Sequence, residues 1–69
     1  MTKQIRLNGK DEIVQAATVW ELLRERGVPE TSCCVAIAVN QTVVHREAWV
    51  TTPITTGDRV EIIRPVVGG

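Results

Sequence analysis

The sequence lacks the features of several large functional classes. Its 69 residues carry eight basic and eight acidic side chains, so the formal net charge is zero, and no basic cluster is present. A nucleic-acid-binding domain needs a basic patch to neutralise phosphates, so neither DNA nor RNA is expected as a partner. No apolar run reaches the roughly 18 residues needed to span a bilayer, and the first residues contain no apolar signal-peptide core. We therefore expect a cytoplasmic protein without membrane contact.

The sequence is equally poor in groups for metal binding or catalysis. Cys33 and Cys34 are adjacent, which holds their α-carbons about 3.8 Å apart, below the usual disulfide range of about 4.4–6.8 Å. There is no CxxC spacing, and His45 has no second imidazole to join it, so no metal site is predicted. We expect two reduced, packed thiols and a solvated His45. No acid–base pair or phosphate-binding loop is present either, so neither an autonomous enzyme nor a bound cofactor is expected.

The alternation and spacing of apolar residues predict five strands and one helix. The predicted strands are residues 3–8, 12–15, 35–39, 42–45 and 59–63. Asn8 and Gly9 tolerate the positive φ of a tight hairpin turn between the first two strands. Thr18 and Glu21 have capping-box spacing at the start of a helix of about nine residues, which Gly27 ends. This order predicts an α+β domain, a mixed sheet of four to five strands with the helix packed across one face.

Two segments are expected to contribute most to the core. Residues 35–39 are apolar on both faces, as in an interior strand, and their small alanines leave room for close packing. Trp49 is expected to anchor an irregular crossover over residues 46–56 by packing inside the domain. For Trp20, core packing and a place on a binding surface are equally open.

The last five residues are the candidate functional site. Pro65 has no N–H for a sheet ladder, so we divide the chain into a domain of residues 1–64 and a tail of residues 65–69. An extended tail of five residues reaches about 16 Å, enough to enter a partner's active-site channel. Gly68 and Gly69 carry no side chains, so that channel can be narrow, and the Gly69 carboxylate is the candidate reactive group. If the first and last strands are neighbours, the tail leaves from the middle of the sheet.

Several motifs follow one another along almost the whole chain. They are IRLNG from Ile5, ATVWELL from Ala17, VAIAVN from Val35, WVTTPI from Trp49, GDRVEIIR from Gly57 and the closing Gly68-Gly69. Together they resemble the ThiS family of sulfur carrier proteins in thiamine biosynthesis, which are small ubiquitin-like β-grasp proteins. Each motif is a weak signal alone, whereas the ordered set is specific.

The resemblance implies a protein co-substrate and not an enzyme. In that family a ThiF-like adenylyltransferase activates the terminal glycine carboxylate with ATP, and sulfur from a donor protein replaces the adenylate to give a thiocarboxylate. A ThiG-like thiazole synthase receives the sulfur. Carried onto this chain, Gly69 is the modified residue and the rest of the tail, Pro65, Val66, Val67 and Gly68, binds partners. Ile63 and Arg64 are expected on the partner surface, with the two tail valines extending an apolar patch around Ile63.

Other functions remain open from the sequence. Pro65 is similar to the tail of the molybdopterin-synthase small subunit, so sulfur transfer to molybdopterin or another pathway is an alternative. The same activated carboxylate also suits a ubiquitin-like modifier that is joined to lysine. A β-grasp domain that only docks on other proteins is a further alternative, in which the two terminal glycines are incidental.

Overall fold

A computed structural model of the chain describes residues 2–28 and 35–64. These residues form five strands, one α-helix and one 3₁₀ helix. In chain order the elements are β1 (Lys3–Leu7), β2 (Lys10–Val14), α1 (Val19–Glu25), β3 (Ala36–Val39), β4 (Thr42–Val43), the 3₁₀ helix (Arg46–Ala48) and β5 (Arg59–Ile63). The predicted element order is confirmed. The predicted tail, residues 65–69, and the two cysteines at 33 and 34 lie outside the described residues.

The five strands form one mixed sheet in the order β2-β1-β5-β3-β4. β1 and β5 are parallel, with Leu7 opposite Val60, and the other neighbouring pairs are antiparallel. The first and last strands are therefore neighbours, which the sequence left open, and β5 occupies the centre of the sheet. A central strand is hydrogen-bonded along both edges, so the chain after β5 leaves from the most constrained part of the sheet.

Two tight turns set the register of the outer strands. Asn8 and Gly9 have φ angles of 50° and 82°, and Asn40 and Gln41 have φ angles of 52° and 71°. Positive φ at both central residues is the geometry of a two-residue hairpin turn, which Asn and Gly adopt at low cost. The first turn connects β1 to β2, and the second connects β3 to β4.

The helix begins and ends with recognisable capping contacts. The Thr18 hydroxyl accepts a hydrogen bond from the Glu21 N–H at 3.3 Å. The Glu21 carboxylate accepts from the Ala17 N–H at 3.3 Å, one residue earlier than in a standard capping box. At the other end Gly27 has a φ angle of 76°, and the Val28 N–H donates to a carbonyl of the last turn, as in a Schellman motif.

The helix covers one face of the sheet and closes the hydrophobic core. The largest fully buried side chains are Ile5, Leu22, Leu23, Ile37, Ile54, Val14, Val19 and Val60. Trp49 is 3% exposed, and its Nε1 donates to the Val44 carbonyl at 3.0 Å, so its predicted core position is confirmed. Trp20 is half-buried against the same core, with the Arg24 guanidinium 5.9 Å from its ring centre.

The bounds of four of the five strands differ from those predicted, β1 and β3 by one residue each and β2 and β4 by more, and α1 has seven residues where about nine were predicted. β2 begins at Lys10 and not at Glu12, because the two-residue turn places Lys10 directly opposite Leu7. β4 ends at Val43 and not at His45, because the chain bends there toward the 3₁₀ helix. Periodicity located both strands, but the turn geometry decided where each one started and stopped.

Candidate functional site

Both edges of β5, the strand that precedes the predicted tail, are occupied. On one edge it pairs antiparallel with β3, from Val60 opposite Val39 to Ile63 opposite Ala36. On the other edge it pairs with β1, and the Asn8 N–H donates to the Val60 carbonyl at 2.9 Å. The last residue of β5 is therefore still part of the sheet ladder. The strand that precedes the predicted tail therefore ends within the sheet.

The side chain of Asn8 continues the pairing after β1 has ended. Its Oδ1 accepts from the Ile62 N–H at 2.9 Å, and its Nδ2 donates to the Ile62 carbonyl at 3.3 Å. The amide thereby replaces the next residue of a neighbouring strand. Sequence reasoning predicted only the turn at Asn8, since nothing in the local sequence shows that this turn faces β5.

Arg64, the last described residue before the tail, is bonded to the end of the helix. Its guanidinium donates to the Arg26 carbonyl at 3.1 Å. Arg26 is the C-cap residue of α1, and its own guanidinium pairs with Glu12 of β2 at 2.9 Å. A cation close to the carbonyl end of a helix is favourable, because it offsets the negative end of the helix dipole. Arg64 was predicted on the partner surface, and the structure adds a contact that joins it to the end of α1.

The sheet face opposite the helix carries exposed apolar residues next to the end of β5. Ile63 is 62% exposed and lies opposite Ala36, and Val43 is 60% exposed and lies opposite Ala38. We call these four residues the apolar strip. The two small alanines between the larger side chains leave a flat surface on which a partner can pack closely. The outward position predicted for Ile63 is confirmed, while the tail valines expected to extend it lie outside the described residues.

The described residues contain no reactive side-chain cluster. His45 is exposed, and no group of three or more His, Cys, Asp or Glu within residues 2–28 and 35–64 is placed to hold a metal ion. The buried Asp58 carboxylate has structural partners, since it accepts from the Thr55 N–H at 2.8 Å and from the Asn40 Nδ2 at 3.0 Å. In this part of the chain, no helix has the length and apolar character to cross a bilayer.

Comparison with known proteins identifies the family to which this chain belongs. The profile of the ThiS family matches residues 1–69. The chain belongs to the ThiS family. A crystal structure of the thiamine biosynthesis protein ThiS from Geobacter metallireducens is 33% identical to this chain, with a TM-score of 0.77 over 96% of this chain and 99% of that one. An NMR structure of a thiamine biosynthesis protein from the same organism is also 33% identical, with a TM-score of 0.80 over 96% and 87% of the two chains.

A weaker likeness relates this ThiS-family chain to a second carrier system. A chain in the complex of subunits 1 and 2 of molybdopterin-converting factor from Helicobacter pylori is 27% identical, with a TM-score of 0.55 over 100% of both chains. A comparison with curated proteins gave no match.

Membership of the ThiS family establishes the fold and the general role. The mixed five-stranded sheet with one helix is the ubiquitin-like β-grasp of the ThiS structures. ThiS-family proteins are small sulfur carriers and not catalysts. They pair with partner proteins, as in the two-subunit complex from Helicobacter pylori. The exposed strip beside β5 and the constrained end of that strand agree with such a role.

Proposed function

We propose that this ThiS-family chain carries sulfur for the thiazole of thiamine as a thiocarboxylate on Gly69. In this proposal residues 1–64 form the carrier domain and residues 65–69 form the tail that enters the partners. The partners are a ThiF-like adenylyltransferase that uses ATP, a sulfur donor protein and a ThiG-like thiazole synthase, all in the cytoplasm. The chain itself binds no cofactor. The greater likeness to the thiamine proteins than to the molybdopterin-converting factor supports this pathway.

The observation that carries the proposal is the central position of β5 in the sheet. A carrier must present its C-terminus to at least two active sites in turn. The last residues must therefore be slender enough to enter those sites, and they must start from a fixed position on the domain. β1 and β3 hold the strand on both edges, and the Asn8 amide and the Arg64 bond hold its last residues. From that origin, five extended residues reach about 16 Å into a partner.

The proposed reaction on Gly69 has two steps. A carboxylate oxygen attacks the α-phosphorus of ATP, and pyrophosphate leaves, which gives an acyl adenylate. A hydrosulfide then attacks the acyl carbon, AMP leaves with the electrons of the broken C–O bond, and a thiocarboxylate remains. Activation is needed because a carboxylate is a poor electrophile until one of its oxygens belongs to a good leaving group. The sulfur of the product is a softer and stronger nucleophile than the oxygen it replaces.

Intact-mass spectrometry tests this reaction. Incubation with the ThiF-like enzyme, ATP and inorganic sulfide should raise the mass by about 16 Da, the difference between sulfur and oxygen. Deletion of Gly69 should abolish the gain and leave the circular dichroism spectrum unchanged, because β5 keeps both of its neighbouring strands. An established ThiS carrier is the positive control. An unchanged mass while that control is converted would refute the proposal, and unfolding on deletion would show that the tail is structural.

Sulfur transfer to molybdopterin is the second candidate function. The likeness to the molybdopterin-converting factor and the proline at position 65 favour it. The thiocarboxylated chain can be offered in parallel to a thiazole synthase and to the large subunit of molybdopterin synthase. We expect the mass to return to its original value only with the thiazole synthase and its substrates. Loss of sulfur only to the molybdopterin enzyme would contradict the thiamine assignment and retain the carrier role.

A further inference from the structure

Two arginines face each other on the open face of the sheet. Arg6 of β1 and Arg59 of β5 are directly opposite in the parallel register, and both side chains are exposed. Neighbouring strands lie about 4.8 Å apart, so the two side chains start from adjacent positions and both guanidinium groups can reach one ligand. Sequence reasoning singled out neither residue, because the pairing depends on which strands are adjacent.

The two guanidinium groups have no partner within residues 2–28 and 35–64. Neither side chain donates a hydrogen bond to these residues, and neither forms an ion pair with them. Asp11 lies opposite Arg6, and Glu61 follows Arg59 on the same face of β5, but neither carboxylate reaches ion-pairing distance. Like charges directly opposite each other destabilise a sheet. The fold therefore gains no stability from placing these two arginines together.

The surroundings of the pair favour a single carboxylate over a polyanion. A shallow groove of about 310 Å³ lies beside Arg6, Arg59 and Gly57, with Asp11 on its rim, and it has space for a small side chain that bonds to the arginines. Two adjacent guanidinium groups offer several N–H donors in the planar arrangement that suits carboxylate oxygens. Asp11 and Glu61 balance the charge of the two arginines, so the patch lacks the accumulated positive charge that a nucleic acid or a phosphate chain needs, whereas a single carboxylate needs only the N–H donors of the pair.

The arginine pair and the apolar strip lie on the same face of the sheet. Ile63 of the strip follows Arg59 by four residues along β5, a distance of about 13 Å at 3.3 Å per residue. The face therefore combines a polar contact point and an apolar one along the strand from which the chain leaves. A protein that binds both points is fixed in its direction of approach, whereas a small anion would use only the arginines.

We propose that Arg6 and Arg59 bind an Asp or Glu carboxylate of the adenylating partner while the apolar strip packs beside it. The inference rests on the proposed function, since this partner is the protein that activates Gly69. An exposed charge contact adds modest affinity, and its main effects are on the association rate and on orientation. The contact therefore acts on the KM for the carrier and not on the chemical step.

Pyrophosphate exchange catalysed by the ThiF-like enzyme tests this contact. The double variant Arg6→Gln, Arg59→Gln should raise the KM for the carrier roughly three- to tenfold and leave kcat unchanged, as expected from the loss of exposed charge contacts. Added salt should raise the KM of the unaltered chain and change that of the double variant much less. Arg24→Gln, the same substitution on the outer face of α1, is the matched control and should behave like the unaltered chain.

The outcomes separate this inference from the proposed function. Thermal unfolding of the double variant should give an equal or higher Tm, because a like-charge pair has been removed, so a rise in KM would not reflect unfolding. An unchanged KM in the double variant, or an equal rise in Arg24→Gln, would overturn the carboxylate contact while activation of the unaltered chain still supports a carrier. Absence of exchange with the unaltered chain would overturn both.

Discussion

Removal of the Asn8 amide should loosen the end of β5 from which the tail begins. In Asn8→Gly the backbone still adopts a φ near 50° without strain, so the substitution mainly removes the two bonds to Ile62. Each such bond contributes about 0.5–1.5 kcal/mol, and both are exposed to solvent. We expect the free energy of unfolding to fall by about 1–2 kcal/mol, out of roughly 3–10 kcal/mol for a domain of this length.

Native-state hydrogen exchange measured by NMR locates this loss. The Ile62 amide should lose protection roughly 5- to 30-fold, since 1–2 kcal/mol corresponds to that factor. Asn40→Gly is a matched control, because Asn40 also has a positive φ and its amide bonds to the Arg59 N–H and to Asp58 at the other end of β5. That variant should expose the Arg59 amide and leave Ile62 protected. Equal protection of Ile62 in the two variants would refute the role assigned to the Asn8 amide.

Substitutions at two further positions test the helix end and the core that support the sheet. Gly27→Ala should lower the free energy of unfolding by about 1 kcal/mol, because φ is 76° and no atom lies near the added Cβ, so the cost comes from the backbone alone. Gly27→Asn should lower the free energy of unfolding by less than Gly27→Ala does when both are measured by urea titration, and equal losses would contradict this account. Trp49→Phe removes the hydrogen bond to the Val44 carbonyl and should lower the free energy of unfolding by about 1–2 kcal/mol. Trp49→Ala also removes the buried ring and should lower it by about 3–5 kcal/mol. A Trp49→Ala variant with a near-normal urea midpoint by circular dichroism would contradict its role as core anchor.

Local signals in the sequence were sufficient to predict the strands and the α-helix, but not the 3₁₀ helix at Arg46–Ala48, where an irregular crossover was expected. β5 runs from Arg59 to Ile63 as predicted, because Val60 and Ile62 alternate with outward side chains and a turn precedes them. The helix begins after Thr18, since a hydroxyl at that position satisfies an N–H that the helix leaves unpaired. These features depend on residues a few positions apart, so they can be read in a short window.

The contacts that define the base of the tail could not be predicted in this way. The Asn8 amide and Ile62 are 54 positions apart, and Arg64 and the Arg26 carbonyl are 38 positions apart. A periodicity window of about 11–18 residues contains no information on which turn faces which strand. The apolar strip could not be predicted for the same reason, because only the strand order β5-β3-β4 brings Val43 and Ile63 to one surface. The sequence left open whether the first and last strands are neighbours, and the structure shows that they are.

The boundary between Ile63 and Arg64 separates two kinds of constraint on the chain. The backbone of β5 is paired with β3 as far as Ile63, and β1 together with the Asn8 amide holds the other edge as far as Ile62, so its position changes only if this pairing opens. Arg64 is held by one exposed hydrogen bond to the Arg26 carbonyl, whose net contribution is about 1 kcal/mol. A partner that binds the open face can therefore displace Arg64 and redirect the residues that follow without disturbing the sheet. If the chain delivers sulfur between two active sites as proposed, this separation gives it a fixed starting point on the domain and an adjustable direction.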